Sequence, residues 1–205
     1  MERPIQFFES AQLDVLREIG NIGAGNAATA LSKMLQSKID MKVPNVKVLS
    51  FDEIEEYVGG GDRLMVTVFL RIEGDVPGNM FFLMDVNSAK NLISYMLGAD
   101  ENQEDFDELE MSALQEIGNI LAGSYLSSLA DFTRLSLQPS VPAISIDMAM
   151  ALLSYGLIEL GRSGDYALVI DTTFIHGEEQ VEGHFFLIPD PASFTTLFNA
   201  LGVPL

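Results

Sequence analysis

Glu18 and Asn21 stand three residues apart in the string EIGNI, and the string returns with Glu116 and Asn119. Residues 13–35 (LDVLREIGNIGAGNAATALSKML) come back 98 residues later as 111–133 (MSALQEIGNILAGSYLSSLADFT), so Asp14, Glu18 and Asn21 correspond to Ser112, Glu116 and Asn119. Residues three and four apart are neighbours on a helix surface, which puts each trio in one narrow stripe. An Asn carboxamide is neither acid nor base at physiological pH, but it both donates and accepts hydrogen bonds. It can therefore hold a water in line for attack on a phosphoryl group, as a Gln does in GTPases. An ionised Glu only accepts, which suits it to pair with a Lys or Arg on a partner. The set holds no nucleophile and no metal cage. It performs chemistry only if the partner brings the phosphoryl group, the metal and most of the transition-state stabilisation. A solvated helix face fits the same residues, and duplication alone would preserve them, so spacing leaves both readings open.

The elements around these stripes repeat as well. Opposite the first stripe lie Leu13, Leu16, Gly20, Gly23, Ala24, Ala27, Leu31 and Met34. Opposite the second lie Met111, Leu114, Gly118, Leu121, Ala122, Tyr125, Leu129 and Phe132. Each set is an apolar band suited to packing on a sheet. Glycine inside a helix costs roughly 1 kcal/mol against Ala. Close backbone approach is the reason expected for Gly20 and Gly118, and room for an approaching molecule for Gly25 and Gly123 on the stripes. After the first helix, 46–49 reads as a short strand, Gly59 to Asp62 as a turn, and 64–72 with 79–84 as a hairpin. A helix over 88–97 follows, with Ser88 as its cap and Gly98 as its stop. The second half keeps that order: 143–146, then a hairpin of 167–175 with 184–188, then a helix over 192–201 stopped by Gly202. Pro44 and Pro142 follow their Asn at the same interval of 23 residues.

The expectation is one α/β (α+β) domain over residues 1–205, internally duplicated about a pseudo-two-fold, with two long helices on a β-sheet. Repeat one covers about 10–99 and repeat two about 111–205. The connector 100–110 carries seven acidic residues and no basic one, and Asp107 with Glu110 fits a capping box opening the second long helix.

Thirty acidic residues against eleven basic give a net charge of −19, which argues against nucleic acid or an anionic membrane as partner. Cysteine is absent, so disulfides, thiol nucleophiles and thiolate metal sites are excluded. The N-terminus has no apolar run for a signal peptide, and 143–158 contains Asp147 and is short for a bilayer span. A cytoplasmic protein without membrane insertion is the expectation. His176 and His184 are isolated from each other in sequence, and Gly59-Gly60-Gly61-Asp62 lacks the Lys and helix start of a phosphate loop. Residues 143–160 are more apolar than their counterpart 45–56, which marks either core or a docking surface in the second half.

The pattern Asp14-x-x-x-Glu18-x-x-Asn21 with Pro44 following, and Ser112-x-x-x-Glu116-x-x-Asn119 with Pro142 following, resembles the CheC family of chemotaxis phosphatases. The resemblance takes in the string EIGNIGAGNAATALS, the strand–hairpin–helix order and the duplication, and so covers essentially the whole chain. Two intact motifs set it apart from the single-site CheX relatives, and 205 residues with no appended switch domain set it apart from FliY, which carries additional segments. The resemblance implies a phosphatase of CheY-phosphate, the aspartyl-phosphorylated response regulator, and a second partner, the deamidase CheD. It implies that Asn21 and Asn119 orient the attacking water while Glu18 and Glu116 anchor a Lys of the regulator. Asp14 and Ser112 would tune docking, and Asp147 with the following helix would meet CheD. No cofactor is expected of this chain itself; Mg2+ would belong to CheY. A non-catalytic adaptor that sequesters CheY-phosphate or CheD is the competing reading.

Overall fold

The computed structural model describes residues 10–98, 105–160 and 166–202. The expected α/β architecture is present. Two helices of 26 residues, α1 (Ser10–Leu35) and α4 (Glu108–Thr133), lie across one face of an eight-stranded antiparallel sheet. The first half supplies β1 (Asp40–Lys42), β2 (Val46–Ser50), α2 (Phe51–Tyr57), β3 (Leu64–Gly74), β4 (Gly78–Asp85) and α3 (Val86–Leu97). The second supplies β5 (Leu137–Pro139), β6 (Ala143–Met148), α5 (Ala149–Leu160), β7 (Tyr166–His176), β8 (Glu179–Pro189) and α6 (Pro191–Ala200).

The two hairpins meet at the centre, where β4 pairs with β8 from Gly78↔Pro189 to Leu83↔His184. Outside them the halves interlock. β1 and β2 pair with β7 of the second half, while β5 and β6 pair with β3 of the first. The β7–β8 hairpin closes on the two residues between His176 and Glu179, and Gly177 takes φ +63° there, a conformation a two-residue hairpin demands and glycine adopts without strain.

Sheet position explains sequence character. β4 reads GNMFFLMD and is buried along all but its last residue, because both faces of the central strands are covered. One face carries the main core, where Leu16, Ala24, Leu31, Leu114, Leu121 and Leu129 pack over Val68, Leu70, Phe82 and Phe185. The other face carries a smaller core of Met65, Phe81, Leu83, Val169 and Phe186 under Ile54, Val58 and Leu153 from α2 and α5.

Two expectations are revised, at the cap of α3 and at the ends of the buried bands, and three elements, α2, β1 and β5, have no counterpart in the sequence reading. α2 fills the run between β2 and the glycine turn. Its start is a capping box, with Ser50 Oγ accepting from the Glu53 N–H at 3.4 Å and Glu53 Oε2 accepting from the Ser50 N–H at 2.7 Å. The cap of α3 is Asp85 rather than Ser88: Asp85 has extended backbone and its Oδ1 accepts from the Ser88 N–H at 2.9 Å, which places Ser88 one turn inside the helix. Met34 and Phe132 leave the buried bands, at 41% and 51% exposure against 2% for Leu31 and 8% for Leu129, because the band ends one turn before each helix does. The three-residue strands β1 and β5 carry too few residues to show an alternation. Asp107 and Glu110 do form the expected capping box of α4, with both bonds at 2.8 Å. Of the acidic connector, 100–104 lies outside the described residues.

Candidate functional site

Both stripes reach solvent. Asp14, Glu18, Asn21 and Gly25 are exposed along α1; Ser112 and Glu116 are exposed along α4, with Asn119 and Gly123 half-buried beside them. Gly118 has the expected reason, Gly20 a milder form of it against Val43, and Gly23, for which sequence reasoning offered none, shares it. A Cβ on Gly118 would stand 2.6–2.7 Å from three carbons of Val68, and one on Gly23 would stand 2.8 Å from Tyr125 Cδ1, where the two helices touch. Tyr125 is anchored by a 2.9 Å bond between its hydroxyl and Thr172 Oγ1 on β7, and burial pushes that hydroxyl up to about 12. A Cβ on Gly25 or Gly123 would meet nothing within 4 Å. The stripes are thus rigidly seated by their small residues and open on their outer side.

The two sites differ in detail. In the first, Arg17 pairs with Asp14 at 2.9 Å, and the Asn21 carboxamide is turned onto the loop between β1 and β2. Its Oδ1 accepts from the Val43 N–H at 3.0 Å, and its Nδ2 donates to the Arg17 carbonyl at 3.0 Å and the Val43 carbonyl at 3.4 Å. Val43 is buried at 3% exposure, with Gly20 close enough that a Cβ there would stand 3.3 Å from it. In the second site Gln115, not the Asn, bonds to the loop between β5 and β6, and the side chain of that loop's Val is turned out. Val141 is 87% exposed, and the Pro142 carbonyl accepts from Gln115 Nε2 at 2.6 Å. Asn119 makes one long contact, from Nδ2 to Glu116 Oε2 at 3.5 Å, and Ser112 Oγ donates back to the Glu108 carbonyl at 2.7 Å. The result is an open groove of about 530 Å³ lined by Ser112, Gln115, Glu116, Asn119, Ser140 and Pro142.

The structure therefore brings Glu18 near Asn21 on one helix and Glu116 near Asn119 on the other, each beside the loop that carries Pro44 or Pro142. Asp147 lies elsewhere, exposed on β6 with Oδ1 accepting from the Met148 N–H at 2.8 Å. Near it Met148 is 43% and Ile146 38% exposed, whereas Ala149 and Leu153 are core; the side chains of 155–160 lie outside the described residues. The stretch 143–160 is thus partly core and partly surface. Sequence reasoning missed Arg17, Gln115, Val43 and Val141. A signal for the first two was present, because LREIGNI and LQEIGNI differ at one position between identical neighbours.

A polar cluster occupies the other sheet face. Asp171 on β7 accepts from the Tyr57 hydroxyl at 2.5 Å and lies 2.9 Å from His184 Nδ1 on β8, with Asn45 Nδ2 at 3.4 Å. Burial raises the Asp171 carboxyl, but the bonds from His184, Tyr57 and Asn45 outweigh it and hold the group below the ordinary carboxylate range. His176 lies apart, bonded to Ser37 and stacked on Tyr95.

Among the described residues no helix is long and apolar enough to cross a membrane. The model of the CheC-like family matches residues 12–48 and 109–146, the two spans from the long helices into the strands that follow them. The CheY-P phosphatase CheC of Bacillus subtilis is 49% identical over 199 residues, 95% of this chain and 95% of its own. Among solved structures, FliY of Thermotoga maritima superposes with a TM-score of 0.76 at 20% identity, covering 95% of this chain and 98% of that one. The middle domain of FliM from H. pylori gives 0.67 at 14% identity, covering 94% and 99%. At such identities the solved structures speak to the fold alone. The identity to the Bacillus protein runs nearly end to end in both chains, and on that ground this chain belongs to the CheC-like family.

Proposed function

We propose that this protein is a phosphatase that accelerates hydrolysis of the aspartyl phosphate of the chemotaxis response regulator CheY. The observation that carries the reading is the Glu116–Asn119 pair, solvent-facing over an open groove, in a chain 49% identical to a CheY-P phosphatase. Asn119 reaches into the regulator's active site and holds a water by donating to or accepting from it. The water oxygen bonds to phosphorus as the phosphorus–oxygen bond to the aspartate breaks, giving inorganic phosphate and a free carboxylate. Glu116 accepts from a Lys of the regulator and fixes α4 against it. Mg2+ enters bound to CheY. Glu18 and Asn21 repeat the arrangement on α1, with Asp14 and Ser112 at the rim of each contact.

CheD is the second partner proposed. The surface suited to it is the exposed patch around Asp147, Met148 and Ala151, where β6 passes into α5. Met148→Glu combined with Ala151→Glu should abolish capture of purified CheD while leaving phosphatase activity in place; retention of CheD would remove this surface from consideration.

The test of the main reading is release of phosphate from phosphorylated CheY at substoichiometric protein. Multiple turnovers are expected from the parent and none from Asn21→Ala with Asn119→Ala, at unchanged thermal stability. A double variant with full activity would overturn the reading. Protection of CheY-phosphate without turnover would instead establish the sequestering adaptor.

A further inference from the structure

We infer that Gln115 is a positioning residue of the second site: by holding the Pro142 carbonyl it secures the adjacent loop and leaves the Asn119 carboxamide available to substrate water. The inference rests on the phosphatase reading given above. It starts from the two loops, Lys42-Val43-Pro44 and Ser140-Val141-Pro142, which occupy the same place beside their helices. Each loop is fastened to its helix through backbone groups, and a different side chain does the fastening in each half.

In the first half the fastener is Asn21 itself. An Asn carboxamide has two N–H donors and two acceptor lone pairs. Both Asn21 donors are engaged, by the Arg17 and Val43 carbonyls, and one lone pair is taken by the Val43 N–H. A group in that state can accept once more but cannot also donate to a water. In the second half Gln115 donates to the loop at 2.6 Å, and Asn119 keeps one donor and both lone pairs.

The cause lies one turn before each Asn. Arg17 stands where Gln115 does, but Asp14 draws its guanidinium away at 2.9 Å. Ser112 stands where Asp14 does, carries no charge, and spends its hydroxyl on the Glu108 carbonyl, so nothing competes for Gln115. Two paired differences, Asp14 with Arg17 against Ser112 with Gln115, thus decide what each Asn does. Val141 records the outcome, at 87% exposure against 3% for Val43.

The experiment uses single-site backgrounds and phosphate release from phosphorylated CheY. In Asn21→Ala protein, Gln115→Ala and Gln115→Met should each lower kcat about fivefold to tenfold with KM within about twofold, since recruiting Asn119 to the loop is worth on the order of one net hydrogen bond. The Met variant keeps the side-chain length and removes the donor without adding charge, so it separates the lost bond from lost packing. In Asn119→Ala protein, Arg17→Gln should raise kcat by a similar factor. Gln115 variants with unchanged kcat, a change confined to KM, or no gain from Arg17→Gln would each overturn the inference. Activity surviving in the double Asn variant would instead strike the phosphatase reading itself.

Discussion

Gly118 and Gly123 lie on opposite sides of one helix, five residues apart, and the same substitution should have opposite consequences at the two. A methyl at Gly118 would overlap Val68 Cγ1, Cβ and Cγ2 at 2.6–2.7 Å, where carbon atoms rest at about 3.5–4.0 Å. Val68 sits on β3 at 3% exposure, and its Cβ, which no χ1 rotation moves, is among the overlapping atoms. The helix must lift by nearly an ångström, at an overpacking cost in the upper part of about 1–3 kcal/mol. Removing an interior helix glycine returns about 1 kcal/mol. Gly118→Ala should therefore lose about 1–2 kcal/mol, which for a chain of this size lowers Tm by about 2–8 °C. At Gly123 a methyl meets nothing within 4 Å, so only the propensity gain remains and Tm should rise by about 2–4 °C. Gly123 is nevertheless one turn beyond Asn119 on the face proposed to meet CheY, and the added methyl should slow phosphate release from phosphorylated CheY. Thermal melting followed by circular dichroism, paired with that assay, reads both arms. Gly118→Ala melting at or above the parent would refute the packing argument. Gly123→Ala with higher Tm and undiminished activity would refute the claim that the clearance serves a partner.

Three further outcomes follow from the same geometry. Asn119→Ala alone should remove most stimulated hydrolysis and Asn21→Ala only a minor share, because Asn21 is engaged with Val43 and Arg17; equal losses in the phosphate-release assay would contradict this. Asp107→Ala deletes the cap of α4 and leaves the Glu110 backbone N–H without its carboxylate acceptor, so about 1–2 kcal/mol of stability should be lost in denaturant titration while activity per folded molecule is kept. Asp171 has its carboxyl held low in the folded state, so the stability it supplies is present above the unfolded carboxylate pKa of about 3.9 and is lost as pH falls through the lower folded value. Asp171→Asn should accordingly be less stable near neutrality and lose less on acidification below pH of about 4, as read from melting at a series of pH values.

Most of the architecture was legible because it rests on patterns with a direct physical cause. The apolar bands of 13–35 and 111–133 named the helices and their buried faces, and the runs NMFFLM and HFFLI named the returning strands of the two hairpins. Where the reading fell short, the deciding contact was remote in sequence or short in extent. Phe51 to Tyr57 forms only two turns, and its capping box at Ser50 and Glu53 went unread between a strand and a glycine turn. Ser88 carried the residue type of a cap, but Asp85, three residues earlier, has the extended backbone and a carboxylate that reaches the Ser88 N–H. The Glu and Asn of each site were legible because the motif is repeated. Their hydrogen-bond partners were not, because Val43 lies 22 residues from Asn21 and Pro142 lies 27 from Gln115. Nothing local announces that Asn21 ties one loop and Gln115 the other.

That difference has its root in how the halves are joined. The loop beside α1 hangs between β1 and β2, both paired to β7, and the loop beside α4 hangs between β5 and β6, both paired to β3. Each candidate site therefore takes its helix from one half and the support of its loop from the other half's hairpin. Gly20 faces Val43 and Ile170 of β7, whereas Gly118 faces Val68 of β3, because Val43 is folded in and Val141 is not. A duplicated helix motif consequently does not make a duplicated site. Substitutions drifting into β7 bear on the loop that engages Asn21, and those in β3 bear on the loop tied by Gln115. The interlocked sheet lets the two loops diverge, which is how one chain can hold two copies of Glu-x-x-Asn with one Asn bonded to its own loop and the other not.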